Sequence, residues 1–128
     1  MITMTPALDT AYVRFELDGN LLTATYKKGK TITLQIAKEI VQDRINFTKH
    51  QPVLVLIVNQ GGLSFNKEAR EYLSSAEGIQ GIIAAVILSE TVATAMIGNF
   101  IIKVNKPHIP VRMFTNRSKA LTWLRSKA

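Results

Sequence analysis

The chain has 128 residues, 47% of them apolar, which suits one domain that buries a sizeable core without disulfides or metals. It contains no cysteine, and this excludes a disulfide framework, a thiolate metal site and a cysteine nucleophile. The net charge of +7 is uneven, because residues 1–90 hold nine basic and nine acidic side chains whereas residues 91–128 hold seven basic ones and no acidic one.

The first predicted elements form a β-hairpin. Residues 11–17 alternate between apolar and polar side chains, as a strand does when one of its faces lies on the core. Asp18, Gly19 and Asn20 suit the positive-φ positions of a tight turn. Residues 21–26 are therefore predicted to return as the antiparallel partner strand.

Helices and buried strands alternate over the rest of the chain. The runs 53–58 and 82–88 are apolar without alternation, which is typical of parallel strands buried on both faces. The other predicted elements are a first helix from about Thr33, capped by Thr31 or Thr33 and ending near His50, a second helix capped by Ser64 or Asn66, a third helix over about 92–104, a short strand over 111–114 and a final helix capped by Asn116. The order ββαβαβαβα predicts an α/β fold with a single-domain mixed sheet of about five strands, the N-terminal hairpin plus parallel strands, covered by four helices.

This order of elements, together with the ending IGNFIIKVNKPHIPVRMFTNRSKALTWL (residues 97–124), resembles the STAS superfamily, specifically its SpoIIAA-like branch of small bacterial proteins. The resemblance covers the chain from about Tyr12 onward. It implies one STAS-like domain over residues 1–128, within which residues 1–9 are a candidate disordered segment. It also implies kinship in shape with CRAL-TRIO lipid-transfer domains, and a protein that acts by docking to partners.

The resemblance also indicates what this chain lacks. In anti-sigma-factor antagonists of the superfamily, an Asp-Ser-Ser-Gly segment at the start of the helix after the central strand holds the serine that a partner kinase phosphorylates. Residues 66–69 of this chain read Asn-Lys-Glu-Ala, so Lys67 stands at the usual position of the phosphoacceptor. Ser64, two residues before the helix, is either a second site for phosphate or a loop or capping hydroxyl.

Polar residues follow the predicted parallel strands, where open α/β sheets bind their ligands. The candidates for ligand or partner binding in this part of the chain are Asn59, Gln60, Ser64, Asn66, Lys67 and Glu90. Only Glu90 could act as an acid or base at the strand ends, and His50 and His108 are expected in connections at other edges of the sheet. We therefore expect no enzyme activity, no catalytic residue, no metal site and no cofactor.

The third predicted helix is too apolar for a helix with one face in water. If four of its larger side chains stayed exposed, the chain would forgo roughly 6–12 kcal/mol of burial. Either a second subunit covers them, most simply in an isologous dimer, or the segment 106–110 buries them within the monomer. The candidate interface residues are Met96, Phe100, Ile101 and Val104.

The basic C-terminal third favours an acidic protein partner or an anionic lipid. Its cations are spread over several predicted elements without interleaved aromatic residues, which argues against nucleic acid. Lys103, Lys106 and Arg112 beside the apolar helix motivate an alternative function, a carrier or sensor of a lipid or other small apolar or anionic ligand. The preferred function is a non-enzymatic STAS-like module for protein–protein interaction and regulation, and we expect it to be a homodimer.

The location of the protein follows from two further features of the sequence. No apolar stretch reaches the roughly 20 residues that a transmembrane helix requires. The first ten residues have neither the basic start nor the long apolar core of a secretory signal. We therefore expect no transmembrane segment and a cytoplasmic protein.

Overall fold

A computed structural model describes residues 5–128, with the side chains of Ile101, Val104 and Asn105 outside the described part. The elements in chain order are β1 (Ala7–Asp9), β2 (Val13–Asp18), β3 (Leu21–Tyr26), β4 (Thr31–Ile32), α1 (Leu34–Phe47), β5 (Val53–Asn59), β6 (Ser64–Phe65), α2 (Lys67–Ser74), β7 (Ile82–Leu88), α3 (Val92–Asn105), β8 (Val111–Phe114) and α4 (Arg117–Arg125). The predicted α/β class, the four helices and the mixed sheet are confirmed.

Six strands form the main sheet in the order β1-β2-β3-β5-β7-β8. The first three pair antiparallel, and β3, β5, β7 and β8 run parallel to one another. The sequence predicts about five strands, and the additional one is β1, which belongs to the candidate disordered segment 1–9. Residues 1–4 of that segment lie outside the described residues. The short strands β4 and β6 form a separate parallel pair.

The caps of the helices explain where each helix begins. Thr33 accepts a hydrogen bond from the main-chain N–H of Ile36 at 3.4 Å, and Asn66 accepts one from Ala69 at 2.8 Å. Each of these side chains satisfies a donor that the first helical turn leaves free. Of the predicted alternatives, Thr33 and Asn66 are therefore the caps, and Asn116 caps α4 as predicted.

Two apolar layers lie on opposite faces of the sheet because side chains alternate along each strand. On one face, α1 and α2 pack over β2, β3 and β5, around Phe15, Leu22 and Val55. On the other face, α4 packs over β5, β7 and β8, around Leu54 and Leu56. The central strand β5 therefore contributes to both cores, as the predicted burial on two faces requires.

A buried arginine ties α1 to the connection between α2 and β7. The side chain of Arg44 donates to the carbonyl oxygens of Gln80 at 2.8 Å and Gly78 at 3.1 Å, and the residue is 5% exposed. Gly78 is required here, since a Cβ at this position would lie 2.0 Å from the carbonyl oxygen of Tyr72. This contact positions the chain as it enters β7.

Candidate functional site

The loop between β5 and α2 lies at the carboxyl ends of the parallel strands. Asn59 accepts a hydrogen bond from the N–H of Gly61 at 2.7 Å, and Gly29 donates to the carbonyl oxygen of Gly61 at 3.0 Å. Gly61 and Gly62 adopt φ values of 105° and 62°, which other residues rarely adopt. The loop is thus held against the neighbouring turn before β4, and its last residues pair with β4 as strand β6.

A cleft of about 270 Å³ lies between this loop, α2 and the sheet. Its floor includes Ile57 and Ile87, which are paired neighbours on β5 and β7. Leu63, Phe65 and Leu73 line it from the loop and from α2. All five side chains are half-buried. We call this space the α2 cleft.

Three polar side chains also line the α2 cleft: Tyr26, Asn59 and Arg70. Tyr26 is 9% exposed, and its ring meets that of Phe65 edge-on at a centroid distance of 5.7 Å. Burial raises the pKa of Tyr26 to about 12, so its hydroxyl remains protonated at physiological pH. Arg70 is exposed at the rim, and its Nη1 donates to the carbonyl oxygen of Phe65 at 2.7 Å.

The structure separates the residues predicted at this edge of the sheet. Asn59 lines the α2 cleft, whereas Gln60 accepts a hydrogen bond from the N–H of Lys28 at 3.3 Å. Ser64 donates to the hydroxyl of Thr31 at 3.3 Å and does not cap α2. Lys67 is exposed and pairs with Glu71 at 3.9 Å.

The remaining predicted residues lie outside the α2 cleft. Glu90 is exposed just before α3. Lys103 and Lys106 lie at the C-terminal end of α3, where they line a shallow hollow of about 440 Å³ together with His108. Arg112 lies on β8 and lines a different hollow, so the structure does not gather these three cations at one site.

Helix α3 packs chiefly against the edge strand β8. Asn99 bonds the main chain of Met113, and a Cβ at Gly98 would lie 1.9 Å from the Met113 sulfur, so the helix approaches this strand through its smallest residue. The opposite face is open to solvent. Its large apolar side chains are 64–68% exposed, and they are Val92, Met96, Ile97 and Phe100.

Two of the four predicted interface residues lie on the open face of α3. Met96 and Phe100 are on the open face, and the side chains of Ile101 and Val104 lie outside the described residues. The predicted alternative, burial of the large apolar residues by segment 106–110, is wrong for the exposed Val92, Met96, Ile97 and Phe100, which α3 turns away from β8. We call them, with Ala93, the α3 face.

A second surface feature brings together cations that the sequence presents as dispersed. Arg112 lies over the ring of Phe114 at 4.9 Å, and Lys127 lies over the ring of Trp123 at 5.2 Å. The two rings are 5.9 Å apart, and Lys119 lines the same hollow of about 430 Å³. Three of the seven C-terminal cations therefore surround an aromatic pair on β8 and α4, which we call the aromatic-basic surface.

The described residues offer neither a metal-binding cluster nor a membrane-spanning helix. Within residues 5–128 as described, no three or more His, Asp or Glu side chains are grouped so as to hold a metal ion. In the same part of the chain, no helix has the length and apolar character that crossing a bilayer would take.

Residues 15–128 match the family described as Domain of unknown function (DUF7793). The chain belongs to the DUF7793 family. A crystal structure of an uncharacterized protein from the DUF3478 family with a SpoIIAA-like fold, from Shewanella loihica PV-4, is similar to this DUF7793 structure, with a TM-score of 0.56 over 97% of this chain and 98% of that chain. The two sequences are 11% identical, so this likeness shows the fold alone. The sequence matches no curated protein.

The predicted resemblance to the SpoIIAA-like branch of the STAS superfamily is thus confirmed for the fold of this DUF7793 chain. The α2 cleft, in contrast, is absent from the sequence-based prediction. The sequence does contain a signal for part of this cleft. The succession of strand, helix and strand implies that β3 and β5 are parallel. Their carboxyl ends, Tyr26 and Asn59, are then expected side by side, and they are paired in the structure.

Proposed function

We propose that this protein is a cytoplasmic, non-enzymatic STAS-like interaction and regulatory module that forms a homodimer through the α3 face. The observation that carries the proposal is the position of the exposed large apolar residues, all of which among the described residues lie on one side of α3. A monomer rarely leaves such a contiguous apolar patch in water. A second copy of the chain is the occupant that fits the helix best.

The α3 face is complementary to itself in an antiparallel arrangement. Ala93, Ile97 and Phe100 recur at intervals of four and three residues, the spacing of a seam between two helices. A two-fold axis between Met96 and Ile97 would place the small Ala93 opposite the large Phe100 of the second copy. The same axis would place Glu90, before the helix, opposite Lys103 near its end, so that opposite charges meet at both ends of the seam.

The energy of covering this face is comparable to the cost of association. Fully burying one large apolar side chain contributes about 1.5–3 kcal/mol. Because four such residues are 64–68% exposed, covering them contributes roughly 4–8 kcal/mol for each protomer. Lost translational and rotational freedom opposes binding by about 4–15 kcal/mol. The gain from the two protomers together is comparable to this cost, so the dimer that we propose is weak and reversible.

The aromatic-basic surface supports a second contact, with an acidic protein partner. Arg112, Lys119 and Lys127 place three positive charges around Phe114 and Trp123. Such a surface attracts anionic segments, and the aromatic rings add apolar contact area. This chain has Lys67 where the anti-sigma-factor antagonists have the phosphoacceptor serine, so regulation by phosphate at that position does not apply to it. Regulation of this module would instead act through the α3 face and the aromatic-basic surface.

A carrier of a lipid or other apolar ligand bound beside Lys103 and Lys106 is the second candidate function. The hollow that these lysines line is the observation that favours it. That hollow is shallow, and it does not include the α3 face, so it supports a ligand site less well than the α3 face supports a dimer.

Sedimentation velocity at about 1 μM and about 100 μM protein tests the dimer. The wild type should shift from monomer to dimer over this range, whereas Phe100→Ser should remain monomeric at both concentrations. Urea unfolding serves as the control, because an exposed substitution should leave monomer stability within about 0.5 kcal/mol. A wild-type chain that stays monomeric at the higher concentration would refute the proposal.

Titration with poly-L-glutamate tests the acidic contact separately. The chain has a single tryptophan, which is Trp123, so its fluorescence reports directly on the aromatic-basic surface. Binding should weaken in high salt and in the double variant Arg112→Gln, Lys119→Gln. An unchanged fluorescence, or tighter binding of a single-stranded oligonucleotide than of polyglutamate, would contradict an acidic protein as the partner.

A further inference from the structure

We propose that the α2 cleft binds a small, mainly apolar carboxylate, whose apolar part lies on Ile57 and Ile87 and whose acid group is held by Arg70, Tyr26 and Asn59. This proposal does not depend on dimer formation, because the cleft is lined by residues of β3, β5, β7, α2 and the loop before α2, and by none of α3.

The first argument is the position and lining of the cleft. It opens at the carboxyl ends of β3, β5 and β7, where α/β sheets bind ligands. Five apolar side chains that line it are only half-buried, although they face one another across a concave space. A volume of about 270 Å³ is just below the range of about 300–1,000 Å³ typical of ligand pockets. The ligand must therefore be small.

The second argument is the buried hydroxyl of Tyr26. The residue is 9% exposed and lines the cleft, yet none of the hydrogen bonds among the described residues involves its hydroxyl. Within the same residues, no buried side-chain oxygen or nitrogen is sealed off without a partner. The hydroxyl therefore opens into the cleft, where it is free to donate to a ligand. Buried polar groups of this kind are normally paired, so a ligand oxygen would complete its hydrogen bonding.

The third argument is the charge of the cleft. Arg70 uses Nη1 to reach the carbonyl oxygen of Phe65, which fixes the guanidinium at the rim and leaves its other N–H groups available. Asn59 accepts a hydrogen bond from Gly61 through Oδ1, so its amide N–H₂ is also available. None of the described residues that line the cleft is acidic. Donors of this kind around an apolar floor fit a carboxylate with an apolar tail.

The probe for this site is octanoate. The matched comparisons are 1-octanol, which lacks the charge, and acetate, which lacks the apolar tail. Main-chain amide signals in a ¹H–¹⁵N NMR titration report where each binds. Octanoate should shift Tyr26, Asn59, Leu73 and Ile87 with a dissociation constant below about 1 mM. Octanol should bind at least about tenfold more weakly, and acetate should not bind. Equal binding of octanol and octanoate would overturn the carboxylate assignment.

Two variants with a matched control locate the acid group. Arg70→Gln should weaken octanoate binding about tenfold, and Tyr26→Phe about threefold to tenfold. Lys67→Gln removes the same charge from the same helix outside the cleft, so it should bind as the wild type does. Shifts confined to residues 92–100, no shift at millimolar octanoate, or equal weakening by Lys67→Gln and Arg70→Gln would each overturn the proposal.

Discussion

The side-chain amide of Asn99 makes two hydrogen bonds to the main chain of Met113, donating to its carbonyl oxygen at 3.1 Å and accepting from its N–H at 2.8 Å. The N–H and the carbonyl oxygen of Met113 point away from β7. Alternate residues of a strand bond to opposite sides, and the carbonyl oxygens on the side of β7 are those of Pro110 and Phe114. The two groups of Met113 are those through which an additional strand would pair with the sheet edge. A helix side chain therefore occupies the edge of β8, which limits edge-to-edge association.

Asn99→Leu tests this contact. The substitution keeps the size of the side chain but leaves both main-chain groups of Met113 without a partner, so the free energy of unfolding should fall by about 1.5–3 kcal/mol. Urea unfolding measures the change. Asn46→Leu is the control, since Asn46 is exposed on α1 and, among the described residues, its side chain accepts a hydrogen bond only from the side chain of Gln42. An equal loss in both variants would contradict the edge role of Asn99.

Arg44 should be the polar side chain whose removal most affects the connection into β7. Arg44→Met removes the donors to Gln80 and Gly78 and leaves two carbonyl oxygens unsatisfied, so we expect a loss of about 2–4 kcal/mol. Thermal and urea unfolding measure it. Arg44→Lys keeps the charge without the fork of donors and should recover part of the loss. A neutral Arg44→Met would show that the connection does not need these hydrogen bonds.

Tyr26 predicts a dependence of stability on alkaline pH. Burial raises its pKa from 10.0 to about 12 in the folded protein. The unfolded chain therefore loses this proton first as the pH rises, so stability is full below pH 10 and decreases from there until the folded pKa is reached. The decrease amounts to roughly 2–3 kcal/mol.

The difference in unfolding free energy between wild type and Tyr26→Phe isolates this effect from other alkaline titrations. That difference should change by the stated amount between about pH 9 and 12. Tyr12→Phe is the comparison variant, because Tyr12 is partly exposed and lies directly before β2. A difference that stays constant with pH would mean that the hydroxyl of Tyr26 has an ordinary pKa.

The antiparallel dimer predicts a charge exchange between the ends of α3. Glu90→Lys and Lys103→Glu should each raise the dissociation constant about threefold to tenfold, because each brings like charges together at both ends of the seam. The double variant restores opposite charges and should return the constant close to the wild-type value. Sedimentation measures all four proteins. Additive weakening in the double variant would exclude this pairing of Glu90 with Lys103.

Most of the fold could be predicted from the sequence because each element carries its own burial signal. The uninterrupted apolar run of β5 predicts a strand between two layers, and Leu54 and Val55 indeed contact opposite cores. For each of the helices α1 and α2, the sequence narrowed the cap to two candidates, which included Thr33 for α1 and Asn66 for α2. This was possible because a short polar side chain just before apolar residues at helical spacing is a local signal.

The sites were harder to predict because they depend on contacts between distant segments. Tyr26 and Arg70 line one cleft only when β3 lies beside β5 and α2 folds back over both, and neither side chain is unusual in its own element. The same reason applies to Arg112 and Trp123, whose residues are far enough apart in sequence to appear dispersed. Ser64 joins β6, a two-residue strand too short to produce a periodic pattern.

The attachment of α3 to a single edge strand has a consequence for how this helix folds. Since the large apolar side chains of the α3 face already lie in water, releasing the helix from β8 exposes no more of them, and this helix should open locally well before the cores around β5 unfold. A subunit that covers it would raise the free energy of that opening by the free energy of association. In this protein, assembly and the local folding of one helix would then be a single coupled equilibrium.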